Sequence, residues 1–283
     1  MSRWNTSLIV SGLLALLLGG AANADEVALV THENLDYIPG SDYPDAKDQL
    51  DVFMPVGAVD VPVVVFFHGG GLLEGEKGHA TFAAGRFVRE GWGFVAPNYR
   101  LSPGVMHPSH VQDAAAAFAW VVKNIATFGG DPSRVFVAGH SAGGYLAVLL
   151  SLDPAHLAKH GLDLSAIRGT IGVSPFLYVE ETARERPKTV WGTDPEAWLA
   201  ASVAPHIDGG KPPMLLLYAD GDEDWRKRHN ETLAAALRGT GHSAVAVVEV
   251  ANRNHGSLWT AVVGSDDPAW AHLVEFVRTQ AAP

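Results

Sequence analysis

Short unbroken apolar runs alternate along the chain with longer stretches in which apolar residues recur every three or four positions. Val61-Pro62-Val63-Val64-Val65-Phe66-Phe67 is the clearest run, and a run with no polar face predicts a strand buried on both sides of a parallel sheet. Phe94 to Pro97, Val135 to Ala138, Gly169 to Ser174, Met214 to Tyr218 and Val245 to Val250 read as further short strands. Between them, Ala80 to Glu90, Pro108 to Thr127, the stretch opening at Tyr145, Trp225 to Arg238 and Trp270 to Arg278 read as helices. The Ala-rich segment from Pro108 is the strongest, with Trp120 and Val121 on its apolar side. Leu29 to Ile38 and Asp48 to Met54 alternate loosely, as an antiparallel hairpin does. This order predicts one α/β domain with a mostly parallel, doubly wound sheet and ligand chemistry at the carboxyl ends of its strands. Residues 175–210 break the alternation and predict a small insertion over that end.

Four loops leave such strand ends, and each carries chemistry-bearing residues. After Val135 to Ala138 comes Gly139-His140-Ser141-Ala142-Gly143-Gly144. Gly-x-Ser-x-Gly between a strand and a helix is a nucleophile elbow, a turn too tight for side chains two residues before or after the serine. After Phe67 comes His68-Gly69-Gly70-Gly71. Glycines at a strand end let main-chain N–H groups approach a ligand, and in acyl transfer they would hold the oxyanion. Gly70, Gly71 and Ala142 are the expected donors, and His68 is expected to support the loop. A phosphate-binding reading of the same glycines lacks the Lys-Ser/Thr ending.

A serine hydroxyl needs a base within hydrogen-bond reach. Of 13 histidines, His255 lies just beyond the last apolar strand, where the base of this elbow fold falls in chain order. His107 and His110, His156 and His160, and His242 sit in other settings. The acid is sought in Asp220-Gly221-Asp222-Glu223-Asp224. Asp220 hugs the strand end, and Asp224 is expected to cap a helix beginning at Trp225, which leaves Asp222 at the apex. A calcium loop fails in the same run, because Trp225 stands where a sharp turn needs glycine and a strand enters it. His107-x-x-His110 lacks a third ligand, so no metal and no cofactor is expected.

His68-Gly69-Gly70-Gly71, Asn98-Tyr99-Arg100-Leu101-Ser102-Pro103, Gly130-Asp131-Pro132-Ser133-Arg134-Val135 and Gly139-His140-Ser141-Ala142-Gly143-Gly144 occur in that order. Together they resemble the α/β-hydrolase serine carboxylesterases of the hormone-sensitive-lipase-like branch. The closer likeness is to bacterial feruloyl and acetyl-xylan esterases and kynurenine formamidases, over about residues 35–280. The resemblance implies an α/β-hydrolase fold of about eight strands with helices on both faces. It also implies Ser141 as nucleophile and the Gly70, Gly71 and Ala142 oxyanion hole, and it puts Asp222 on the family acid. The loop after Tyr218 lacks the Asp-Pro-Leu wording of many lipase-like members, which favours the feruloyl-esterase side. The activity implied is hydrolysis of small carboxylic esters through an acyl-enzyme. An arylformamidase-like amide hydrolase is the alternative within enzymes, and an inactive binding module on the same fold lies outside them. Trp191, Trp198 and Trp259 are candidates for the substrate pocket, with plain packing an equal alternative for each.

The remaining composition narrows the partners. The chain has no cysteine, which excludes disulfides and thiol chemistry. Its formal charge of −11, with no cluster of Lys or Arg, disfavours nucleic acid. The expected partner is a small ester. Arg3, the apolar run Leu8 to Leu18 and Ala22-Asn23-Ala24 fit a leader over residues 1–24, cleaved after Ala24. The run is shorter than the ~20 residues of a membrane span, so export without a stable anchor, to the periplasm or outside, is expected, with one domain over residues 25–283.

Overall fold

A computed structural model describes residues 28–282, apart from 39, 41–42, 44 and 183–187. The leader expected over residues 1–24 lies outside the described residues. The strands are β1 (Leu29–Asp36), β2 (Gln49–Pro55), β3 (Val61–Phe67), β4 (Gly93–Pro97), β5 (Gly130–His140), β6 (Gly169–Val173), β7 (Met214–Ala219) and β8 (Val245–Val250). They form an eight-stranded sheet in the order β1-β2-β4-β3-β5-β6-β7-β8. Only the β1–β2 and β2–β4 pairings are antiparallel; β4, β3, β5, β6, β7 and β8 run parallel. The helices are α1 (Gly78–Thr81), α2 (Ala84–Arg89), α3 (Ser109–Asn124), α4 (Ala142–Leu152), α5 (Pro154–Ala158), α6 (Val179–Thr182), α7 (Lys188–Trp191), α8 (Pro195–Ala201), α9 (Asp224–Gly239), α10 (Ser257–Thr260) and α11 (Pro268–Ala281).

The unbroken apolar runs are explained by which face each residue serves. Along β3, Val63, Val65 and Phe67 enter one core with Val111, Phe118 and Val121 of α3 and Leu146 and Leu149 of α4. Val64 and Phe66 enter the opposite core with Phe87 of α2 and Trp270, Leu273 and Val277 of α11. Side chains alternate across a strand, so a strand covered on both faces must be apolar at every position. Leu216 of β7 packs on Leu233 and Leu237 of α9 in a third cluster. Burying such a side chain contributes about 1.5–3 kcal/mol, and Phe66→Ala, at a fully buried ring, would cost about 3–5 kcal/mol.

Asp-Pro steps open three helices. Asp153, Asp194 and Asp267 accept main-chain N–H groups from Ala155, Glu196 and Trp270, with Pro154, Pro195 and Pro268 at the first helical position. Two expectations shift. The single helix over Ala80 to Glu90 is two short ones, because Ala83 N–H bonds back to Ala80 O three residues earlier and tightens the chain between them. Helix α9 starts at Asp224 with Glu223 as its cap residue, and Asp224 does not cap it. Among the described residues, no helix is long and apolar enough to cross a membrane.

Candidate active site

Strand β5 delivers Ser141 to the top of the sheet, and α4 begins at the next residue. Ser141 has φ 55° and ψ −115°, a backbone conformation costing a non-glycine residue about 1–3 kcal/mol. The flanking glycines make the turn possible. A Cβ on Gly143 would lie 2.0 Å from the Phe67 carbonyl oxygen, and one on Gly139 would lie 2.3 Å from the Gly143 carbonyl carbon. The elbow is therefore pressed against the end of β3.

His255 Nε2 lies 2.9 Å from Ser141 Oγ, and His255 Nδ1 lies 2.9 Å from Asp222 Oδ1. The His255 side chain is 35% exposed while that of Asp222 is fully buried. Asp222 Oδ2 accepts the Ser174 hydroxyl and, at 2.8 Å, the Ala219 N–H. Burial pushes the Asp222 carboxyl up, but the hydrogen bonds from His255, Ser174 and Ala219 outweigh it and hold it below the ordinary value. Ser174 itself sits at φ 47° at the end of β6, and its carbonyl accepts Arg226 Nη1 at 2.8 Å. Arg226 Nε is 3.6 Å from Asp222 Oδ1, so a guanidinium backs the carboxylate from the first turn of α9.

The glycine loop faces the serine. A Cβ on Gly69 would lie 3.4 Å from Ser141 Cβ. Gly70 and Gly71 have φ of 116° and 67°, and Gly70 is packed so closely that a Cβ would meet the Glu74 carbonyl oxygen at 2.0 Å. Ala142 is the first residue of α4, whose opening N–H groups have no partner within the helix. His68 is buried and stacks on Tyr99 at 4.3 Å, with its Nδ1 2.7 Å from Gly69 O. Burial presses its basicity down to about 3, so the ring is a neutral brace for the loop. Tyr99 Oη donates to His68 O at 2.8 Å and Lys47 Nζ to Gly75 O at 2.9 Å. The Asn98-Tyr99-Arg100 stretch thus holds the glycine loop, and Arg100 anchors it through Asp113 at 2.6 Å.

The three tryptophans are largely buried. Trp191 of α7 packs edge-on against Phe176 and Tyr145, at 5.5 and 6.2 Å between ring centres. Trp198 Nε1 donates to Gly192 O at 3.3 Å. These contacts, with Tyr145 Oη donating to Ala201 O at 2.7 Å, fasten the insertion to α4. Trp259 stacks on Phe66 at 3.9 Å and bridges the histidine loop to β3. His229 of α9 holds the insertion from the other side, its Nδ1 accepting the Leu177 N–H at 3.2 Å and its Nε2 facing Glu181 at 3.2 Å. Among the described residues, no group of three or more His, Asp or Glu is arranged to hold a metal ion.

Three supporting residues have no marker in the sequence, and a fourth, Asp220, is visible only as part of the acidic run and not for its partner. Ser174 reads only as the end of a strand, Arg226 as a surface charge, and His140 as the variable position of a motif. Their roles come from strands distant in sequence ending side by side. Only the Asp222 to Arg226 spacing, one helical turn, offers a local hint.

An eight-stranded, mostly parallel sheet carrying a serine elbow, a histidine after its last strand and an aspartate after the strand before it is an α/β-hydrolase. The chain belongs to the BD-FAE family, whose profile matches residues 50–237. It is 29% identical over 222 residues to esterase LipQ of Mycobacterium tuberculosis, covering 72% of this chain and 52% of LipQ. Carboxylesterase NlhH of the same species is 42% identical over 98 residues, 34% of this chain and 31% of NlhH. The chain spans about half the length of LipQ and of esterase LipC. Among solved structures, a truncated carbohydrate esterase from gut microbiota superposes with a TM-score of 0.74 at 17% identity, covering 91% of this chain and 98% of that one. Esterase 2 of Thermogutta terrifontis, solved phosphoramylated by tabun, superposes at 0.68 with 25% identity, covering 89% and 92%.

Proposed function

We propose that this protein is a serine carboxylesterase that hydrolyses small carboxylic esters through an acyl-enzyme. The observation that carries the reading is the pair of 2.9 Å hydrogen bonds linking Ser141, His255 and Asp222 at a strained elbow. Ser141 Oγ bonds to the ester carbonyl carbon as its proton passes to His255 Nε2. The oxyanion takes hydrogen bonds from the Gly70, Gly71 and Ala142 amides. Asp222 balances the imidazolium, which returns the proton to the departing alkoxide as the carbon–oxygen bond breaks. Water then repeats the two steps and releases the acid. The names of LipQ and NlhH as esterases support this chemistry.

The test pairs turnover with trapping. Wild-type protein is expected to release p-nitrophenol from p-nitrophenyl acetate and to be phosphorylated by paraoxon on the Ser141 peptide. Ser141→Ala should do neither while keeping its circular dichroism, with a loss in kcat of about 10⁴-fold or more. Folded wild-type protein that neither turns over any ester in a panel from acetate to octanoate nor takes the label would overturn the reading.

We also infer export, on the strength of the Leu8 to Leu18 run and Ala22-Asn23-Ala24. N-terminal sequencing of protein from the periplasm or medium should begin at Asp25; a chain retaining Leu13 to Leu18 would contradict it.

A further inference from the structure

His140 stands between the elbow glycine and the nucleophile, yet its ring faces the base. His140 Nε2 lies 2.8 Å from the main-chain oxygen of His255, and the two rings are 4.8 Å apart with a 39° tilt. A carbonyl only accepts, so Nε2 carries a proton, and in the neutral ring Nδ1 is the bare nitrogen. That nitrogen points at the oxyanion loop, 3.1 Å from where a Cβ on Gly69 would sit. The ring therefore lies between the elbow that carries it, the histidine loop it bonds and the oxyanion loop beside it.

We propose that His140 is a positioning residue that holds His255 by its carbonyl and, by staying neutral, leaves the base free of an adjacent ionic charge at this position. This inference rests on the esterase reading. The charged and titratable groups around the pair are Asp222 on the loop after β7, Glu223 and Arg226 at the start of α9, and His255 itself. Asp222 and Arg226 already oppose one another at 3.6 Å. His255 becomes cationic as Ser141 attacks, so a second cation 4.8 Å away would oppose the transition state. Burial, and then the neighbouring His255, press His140 down to about 4, which keeps it neutral at ordinary working pH. A carboxylate at this position would err the other way. It could not donate to the His255 carbonyl, and it would hold a proton on the base and remove it as an acceptor.

The experiment compares wild type with His140→Leu, His140→Gln and His140→Asp on one ester from pH 4.5 to 9. His140→Leu should lose roughly 10- to 100-fold in kcat with KM changed by no more than about twofold, the scale of a misplaced catalytic group. His140→Gln, which keeps a donor, should recover most of that loss. His140→Asp should move the acid limb of kcat/KM upward by about one pH unit or more. Wild-type kcat in His140→Leu, no rescue by Gln, or an unmoved limb in His140→Asp would each overturn the proposal. Histidine-selective ¹⁵N NMR of the wild type provides a readout independent of turnover. A neutral ring protonated at Nε2 supports the hold whether or not an ester is cleaved, whereas a ring protonated at Nδ1 alone, or a cationic ring, overturns it.

Discussion

The Asp220 carboxylate accepts the main-chain N–H of Arg253 at 2.9 Å. It also accepts the Asn252 N–H at 2.8 Å, while Gly221 N–H donates to Arg253 O at 2.9 Å. The amides of Arg253 and Asn252 hold its carboxyl below the usual range. The loop carrying the acid thereby grips the loop carrying the base, two residues before His255. Asp220→Ala should lower kcat roughly tenfold with little change in KM, since it frees the base without touching substrate. Asp220→Asn retains one acceptor oxygen and should fall between. An alanine variant with wild-type kcat would show that the grip is dispensable.

Asp222 and Asp224 make a paired test. Asparagine at 222 keeps one acceptor oxygen for the Ser174 and Ala219 donors and turns its amide N–H toward His255 in place of Oδ1, which favours the wrong imidazole tautomer. The expected loss in kcat is about 10⁴-fold. Asp224 is the first residue of α9 and makes no cap, so Asp224→Asn should remove only a helix-dipole contribution of about 0.3–1 kcal/mol. A larger catalytic loss at 224 than at 222 would reassign the acid.

Ser174→Ala removes one donor from a fully buried carboxylate, a hydrogen bond worth about 1.5–3 kcal/mol. The sign with pH follows from the lowered Asp222 carboxyl. A depressed carboxylate contributes stability above its unfolded value near 4, and that contribution is lost as pH falls through the folded value. The variant's destabilisation in urea should therefore be full at pH 7 and shrink below about pH 4. A destabilisation unchanged down to pH 2 would mean that Ser174 acts by packing alone.

Gly70 and Gly71 should respond differently to alanine. At Gly70 the methyl meets the Glu74 carbonyl oxygen and the loop must move, so kcat should fall steeply. At Gly71 the nearest atom is 4.0 Å away. Gly71→Ala should then cost about 1–2 kcal/mol for its left-handed backbone and keep most activity. Equal catalytic losses at both positions would separate the oxyanion function from this crowding.

Buried neutral histidines predict a second pH dependence. Burial lowers His68 to about 3, and His110 and His229 to about 4. Between these values and the unfolded value near 6.5, the unfolded chain binds more protons than the folded one, so stability rises with pH. Unfolding free energy should climb from pH 4.5 to 6.5, by up to about 1.4 kcal/mol per pH unit for each proton, and level off above 7. A flat profile across this interval would show that these rings are protonated in the folded state.

The sheet was legible in the sequence because a strand covered on both faces leaves no polar position, and Val61 to Phe67 has none. The helix α3 was equally plain in its apolar spacing. The helix over Ala80 to Glu90 was read too long, since apolar spacing does not separate an α-helical turn from the tighter one at Phe82 and Ala83. The cap assigned to Asp224 missed by one residue, because helix boundaries depend on backbone angles that residue type only biases.

For the site, the chain by itself determined what lies within one turn or loop. The glycines around Ser141, the glycine loop after Phe67 and a histidine after the last strand are local patterns with local steric reasons. Tertiary structure alone decided that Ser174 holds Asp222, that Asp220 grips Arg253, and that His140 reaches the His255 carbonyl. Those contacts span 48, 33 and 115 positions. They exist because the parallel strands end at the same edge of the sheet. Strand order and register set which loop ends meet there, and neither is written in the residues of any single loop.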